Sequence, residues 1–201
     1  MIISADADDV ELNDSIKEIF AASFPMSGLS ISQMYICDNR NDKLVAEIAD
    51  YDVLILAGGH VPTQNKFFER IRLKEHINNF DGILIGISAG TMNCAEVVYA
   101  QPELEGESID KKYERFLSGL GITNFMILPH YQDIKDDILD GQHLFEDITY
   151  PDSYGREFYA LEDGSYFMVE DKETTLFGAA YLIKDGEIKQ ICEKSKSICM
   201  A

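Results

Sequence analysis

The stretch that most constrains this chain is "YDVLILAGG", residues 51–59. Successive side chains of a strand point to opposite faces, so an unbroken run such as Val53-Leu54-Ile55-Leu56 must be buried on both faces. Such strands belong to parallel sheets covered by helices on each side. The run ends at Gly58-Gly59, and the pattern returns in "GILIGISAG", residues 82–90. Between them "VPTQNKFFERIRLKEHINNF" reads as one long amphipathic helix with Pro62 in its first turn. Upstream, "MIIS" reads as a strand and "SIKEIFAASF" as a helix with Ile16, Ile19 and Phe20 on one face. "LSISQMYICD" then reads as a strand, and "NDKLVAEIAD" as a helix with Asn41 as its N-cap. "AGTMNCAEVVYA" reads as a further helix. Alternating strands and helices predict an α/β fold: a three-layer, doubly wound, mostly parallel sheet. Ligands in such sheets bind at the carboxyl ends of the strands, where both glycine segments fall.

The second half is different. "QPELEGESIDKKYERFLSGLG" reads as a polar loop with a short helix, and His143 falls in a helix or loop, "LDGQHLFED". "FMILPHY" reads as a strand ending at Pro129-His130. Residues 156–191 alternate and carry Asp163-Gly164 and Asp185-Gly186, which predict C-terminal β-hairpins. With 201 residues, no repeat and no linker, the chain reads as a single domain spanning 1–201.

Thirty-six acidic against 17 basic residues give a net charge of −19. That field repels phosphate backbones and anionic bilayers, so the expected partners include neither nucleic acid nor membrane. Cys37, Cys94, Cys192 and Cys199 form no C-x-x-C pair and have no histidine at metal spacing. Isolated thiols without an export signal point to a reducing cytoplasm.

Gly86-Ile87-Ser88-Ala89-Gly90 explains why a serine stands between glycines. G-x-S-x-G between a buried strand and a helix is a nucleophile elbow, a turn too tight for bulky neighbours. It holds the Ser88 hydroxyl at a helix N-terminus, with the Ala89 amide aimed where an oxyanion would form. Gly58 and Gly59 allow the backbone of another strand end to approach a bound carbonyl and supply a second donor. A serine hydroxyl needs a base. Of His60, His76, His130 and His143, the base is His130, which ends an apolar strand on the edge where the elbow lies, while His76 falls in the long helix and His143 in a helix or loop. The orienting acid is Asp163, in "ALEDGSY", with Glu162 as its immediate rival, since the strand period lets only one of them face the site.

In that order — strand-Gly-Gly, G-x-S-A-G, Pro-His, Asp-Gly — the residues resemble peptidase E, the α-aspartyl dipeptidases, from about residue 50 onward. The resemblance implies a fold similar to class I glutamine amidotransferases, a flavodoxin-like relative, and a serine peptidase that needs no cofactor. It implies Ser88 as nucleophile, His130 as base, Asp163 where the family has Glu, Gly59 and Ala89 as oxyanion donors, and Gly58 and His60 beside the substrate. The family's Gly-Gly-Asn becomes Gly58-Gly59-His60 here, which bears on dipeptide specificity. The family also places a strand and helix before the segment that "MIISADADD" resembles. Either the sheet is one strand smaller or the start lies upstream, and an open edge would favour a homodimer.

An Asp-Xaa dipeptide is an anionic substrate and requires a cation, for which Lys111, Lys112, Arg115 and Arg156 are the candidates. An α/β-hydrolase esterase would need the order Ser88, Asp136 or Asp140, His143. A glutamine amidotransferase would carry cysteine at the elbow, whereas Cys94 lies in the following helix and reads as packing. A non-catalytic binding or regulatory protein on the same scaffold is the reading outside enzymes. His130, Asp133, Asp136 and Asp137 gather four metal-type ligands, but acidic faces in so acidic a chain are ordinarily solvated, and no metal is expected.

Overall fold

In the computed structural model, residues 1–171 and 173–200 are described, and the chain divides into two compact units. The first comprises Met1–Glu96 with Ser118–Ile122, the second Val97–Leu117 with Thr123–Ala201.

The first unit is built on four parallel strands: β1 (Ile2–Ile3), β2 (Ile36–Cys37), β3 (Val53–Leu56) and β4 (Ile83–Gly86), in the order β2-β1-β3-β4. The chain leaves β1 toward one side and returns to the other. This puts a topological switch point between β1 and β3. Strand alternation sorts the apolar run into two cores. Ile3, Leu54 and Leu56 pack with Val45, Ile48, Phe67, Phe68 and Leu73. Ile2, Ile55 and Ala57 pack with Ile16, Phe20 and Phe24 of α1 (Val10–Met26) on the opposite face. The unit therefore has three layers, as expected of a doubly wound fold.

Local readings changed where packing overrode pattern. The face of α1 is Ile16, Phe20 and Phe24 at intervals of four, while Ile19 is 62% exposed. Asn41 does not cap the following segment, which is a 3-10 helix, Asp42–Asp50. Its side chain instead accepts from the Asp38 amide and donates to the Ile36 carbonyl, a local turn that competes with capping. The long helix is two, α2 (Val61–Arg70) and α3 (Leu73–Ile77), broken by Arg72 in the left-handed region at φ 55°. The break lets both Ile71 and Leu73 reach the core, which an unbroken helix surface would have separated. "LSISQMYICD" contributes only the two residues of β2. The strand β4 is not buried on both faces: among the described residues β3 is its one sheet partner, and Ile83 is 63% exposed. After β4, helix α4 (Ala89–Asn93) is only five residues long.

The second unit begins with β5 (Val97–Tyr99), where β-branched residues end the helical reading, paired with β6 (Phe116–Ser118). "FMILPHY" supplies β7 (Met126–Leu128), followed by the short helix α5 (Tyr131–Ile134). "LDGQHLFED" forms a small hairpin, β8 (Ile138–Leu139) and β9 (Gln142–His143), turning at Asp140-Gly141. A π-helical turn (Leu144–Thr149) and helix α6 (Tyr150–Asp152) lead to β10 (Glu157–Leu161). The remaining strands are β11 (Tyr166–Glu170), β12 (Glu173–Phe177), β13 (Ala180–Lys184), β14 (Glu187–Cys192) and β15 (Ser197–Met200).

The strand β10 runs parallel to β7 and antiparallel to β13, in the order β14-β13-β10-β7. Asp185-Gly186 closes the β13–β14 hairpin with both residues at positive φ (51° and 83°), the mirror-image turn that matches strand twist. Asp163-Gly164 does not close a hairpin. It carries the chain from β10 into a separate antiparallel sheet, β11-β12-β15. Among the described residues, no helix is long and apolar enough to cross a membrane.

Candidate active site

In the first unit the G-I-S-A-G turn joins β4 to α4. Ser88 sits at φ 49°, ψ −114°, a region that non-glycine residues occupy only when the surroundings enforce it. The enforcement is visible. The Ile87 amide donates to the Leu56 carbonyl of β3, and the Gly90 amide returns to the Ile87 carbonyl. The Thr91 hydroxyl donates to the Gly86 carbonyl at 2.6 Å and ties the end of β4 to the helix. The two glycines are steric requirements. A Cβ on Gly86 would stand 2.8 Å from the Thr91 Cα, and one on Gly90 would stand 2.2 Å from the Leu56 carbonyl oxygen.

Gly90→Ala is accordingly expected to destabilise the protein by about 2–4 kcal/mol, since overpacking against backbone outweighs the ~1 kcal/mol that alanine gains in a helix. For a chain of this size that is a fall of roughly 5–12 °C in thermal midpoint, measured by calorimetry. An unchanged midpoint would show that α4 can shift away from β3 at no cost.

The other strand end lies against the elbow. A Cβ on Gly58 would come within 3.2 Å of the Ser88 Cβ, so only glycine leaves room there without pressing on the serine. Gly59 is held as closely on its far side, where a Cβ would meet the Ala5 Cβ at 2.6 Å. Both glycines therefore stand at the end of β3, beside the loop that follows β1. Ala89, the first residue of α4, is fully buried. His60 precedes α2 in extended backbone, with its Nδ1 2.8 Å from the Thr63 hydroxyl. Cys94 lies past the elbow, buried, with its thiol bonded to the Gly90 carbonyl and pushed up to about 12 by desolvation. A thiol so placed is protonated at neutral pH and has no nucleophile's environment.

In the second unit His130 follows β7 and takes the left-handed conformation, φ 60°, at the entry to α5. Its Nδ1 is 2.7 Å from Oδ1 of Asp163, which sits just past the end of β10. Parallel pairing of β7 and β10, with Leu128 beside Ala160, brings the two strand ends together. Hydrogen bonding to His130, then to Gln132, holds the Asp163 carboxyl below the usual aspartate range. Glu162 is turned to a different partner, accepting from the Tyr181 hydroxyl at 3.0 Å. So of the two adjacent acids, Asp163 is the one beside the histidine.

Nothing in the sequence singles out Gln132, yet its Oε1 accepts from the Asp163 backbone amide at 3.0 Å. Its Nε2 donates to Asp133 at 2.8 Å. His130, Asp133 and Asp163 bring three donor atoms within 4.8 Å of one another, all on exposed side chains.

The other sequence candidates serve the framework. Arg115 pairs with Asp152 at 3.0 Å, and the Arg156 guanidinium lies 4.2 Å over the Phe116 ring. Both cations are thus engaged in packing, and Lys111 and Lys112 are exposed in the loop before β6. Asp140, a candidate acid for the esterase order, is occupied by the Gly106 and Ser108 amides and the Ser108 hydroxyl. His143 is exposed, and its own backbone amide donates to Asp147.

A search of curated proteins returned no match. Among solved structures the chain is similar to a peptidase from an acI-B1 Actinobacterium, with a TM-score of 0.69 and 16% identity over 99% of this chain and 82% of that one. It is also similar to a protein described as peptidase E from Listeria monocytogenes EGD-e, with a TM-score of 0.53 and 16% identity over 95% and 84% of the two chains. At such identities the likeness establishes the α/β fold with its parallel sheet. The pattern of Peptidase family S51 matches residues 6–177, from the loop after β1 through β12 and across both the serine elbow and the His130–Asp163 pair. A serine elbow in the first unit and a histidine–carboxylate pair in the second thus fall within one match covering most of the chain, which is a serine-type peptidase and belongs to Peptidase family S51.

Proposed function

We propose that this peptidase, as a single catalytic domain spanning residues 1–201, cleaves small peptides through a Ser88–His130–Asp163 triad. Ser88 Oγ attacks the scissile carbonyl carbon, and its proton passes to His130. His130 then gives that proton to the leaving amine, and an acyl-enzyme ester remains on Ser88. Water, deprotonated by His130, hydrolyses the ester and restores the serine. Asp163 fixes the imidazole orientation and stabilises its charged form. The amides of Gly59 and Ala89 donate to the oxyanion, in such reactions usually the largest single stabilisation. Gly58 and His60 border the bound substrate, and no cofactor takes part.

The observation that carries this reading is the backbone of Ser88, held at φ 49°, ψ −114° by two glycines that admit no side chain. Strain of this kind persists where it serves a site. Four free cysteines support a reducing, cytoplasmic setting.

Asp-Xaa dipeptides are the family-like substrates, and they require a cation for the substrate side chain. The engagement of Arg115 and Arg156 elsewhere makes the substrate's charge the point to test. The test is hydrolysis of a dipeptide panel containing acidic, neutral and basic N-terminal residues. Cleavage of at least one member, with Asp-Xaa foremost, is expected. Absence of cleavage across the panel would refute small-peptide cleavage, whatever the fate of the elbow.

A further inference from the structure

We infer that Gln132 is a positioning residue that holds Asp163 in register with His130. The inference rests on the proposed triad, and its evidence is local to the second unit. Asp163 is a poorly packed acid: its side chain is 61% exposed, and that of His130 is 45% exposed. Packing alone does not fix such a carboxylate. The segment carrying it is held before Asp163 by the Glu162 amide donating to the Ala179 carbonyl and the Tyr181 hydroxyl donating to the Glu162 carboxylate, and after it by Ser165, whose amide donates to the Glu162 carbonyl and whose hydroxyl donates to the Ala179 carbonyl. Beyond Glu162 the chain leaves β10 for another sheet, and the next backbone donor is the Asp163 amide. Gln132 takes it, at 3.0 Å. The glutamine lies two residues after His130, so this one side chain ties the segment bearing the base to the segment bearing the acid.

Its own amide nitrogen is fixed in turn by Asp133, which leaves the oxygen facing Asp163. The amide cannot rotate end for end without losing both bonds. Around the Asp163 carboxylate stand His130, bonded to it, and Asp133, which accepts from Gln132 and lies within 4.8 Å of both, while Glu162 is turned to Tyr181. With Gln132 in place, the carboxylate receives His130 in one geometry and the imidazole is oriented by it. Small misplacements of such groups are costly in rate.

Two variants test this. Gln132→Met keeps the length and removes the acceptor. It is expected to lower kcat on the order of tenfold with KM within about twofold. Its thermal midpoint should stay within about 2 °C, because an exposed hydrogen bond contributes little to folding. The Asp163 carboxyl, followed by carbon NMR, should titrate at higher pH than in the wild type, because the His130 bond that chiefly lowers it loosens once the Asp163 amide is no longer held. Gln132→Glu combined with Asp133→Asn keeps an oxygen to accept from the Asp163 amide and a neutral donor to hold the side chain in place, and is expected to recover kcat to within about threefold of wild type.

A Gln132→Met protein with an unmoved Asp163 titration would overturn the inference, even if its rate fell. So would a Gln132→Glu/Asp133→Asn protein as slow as Gln132→Met. The titration needs no turnover, so the two readings separate. A moved titration in a protein whose hydrolysis does not depend on Ser88 would sustain the positioning role and overturn the triad. An unmoved titration with Ser88-dependent hydrolysis would do the reverse.

Discussion

Ser88→Ala is expected to lower kcat by a factor on the order of 10,000 or more, with the protein still folded. The alcohol oxygen is the atom proposed to form the acyl bond, and no other group in the elbow can replace it. Cys94, the nearest thiol in sequence, is bonded to a main-chain carbonyl and protonated at neutral pH. The residual rate would come from the oxyanion amides and substrate binding alone. Folding is expected to survive because the strained backbone is held by Gly86, Gly90 and the Thr91–Gly86 bond rather than by the hydroxyl. Alanine is also no larger than serine. Turnover and the thermal midpoint, measured on one preparation, decide the matter. A variant that retains wild-type kcat would remove Ser88 from the chemistry.

Asp163→Asn is expected to lower kcat about a thousandfold, whereas Glu162→Gln should change it by less than about threefold. The asparagine keeps the shape but offers the imidazole no negative charge, and its amide can favour the wrong tautomer. The expected loss is set below that of a buried triad acid because Asp163 is largely exposed, where solvent already screens the charge. The Asp163 carboxyl is held below the ordinary aspartate range, first by His130. Its folded-state pKa is therefore depressed. The stability that the pair contributes is complete above the ordinary aspartate range and disappears as pH falls through the lower, folded value. The acid should accordingly stay ionised throughout the neutral range in which hydrolysis is assayed. Equal losses in the two variants would assign the role to neither residue.

Much of the first unit was legible because its strands are unambiguous. A run such as Val53-Leu54-Ile55-Leu56 can only be covered on both sides, and the two cores meet it on alternate residues. The elbow was legible for a related reason. Glycine at 86 and 90 marks places where a Cβ would strike backbone, and a serine between them stands where chain direction reverses. Legibility failed where short-range pattern met tertiary demand. Arg72 breaks a helix whose periodicity runs through it, because Ile71 and Leu73 both had to be buried. Ile83 and Ile85 are as apolar as Leu54 and Ile55, yet they lie on a strand that has, among the described residues, a single sheet partner, which apolarity alone does not reveal.

The sequence by itself determined the order of chemistry along the chain: a serine in a turn only small residues permit, a histidine closing an apolar strand, and an acid at the end of another. These follow from sterics and strand periodicity, which act over a few residues. Only the tertiary structure put Asp163 rather than Glu162 beside His130, and only it brought Gln132 to the Asp163 amide. The period of two says that neighbouring residues part company, but not which way. That was set by the register of β10 against β13, which leaves Tyr181 to take Glu162, and by the parallel pairing of β10 with β7, which leaves His130 to take Asp163. Register is a property of strands far apart in sequence, so no local reading of the chain contains it.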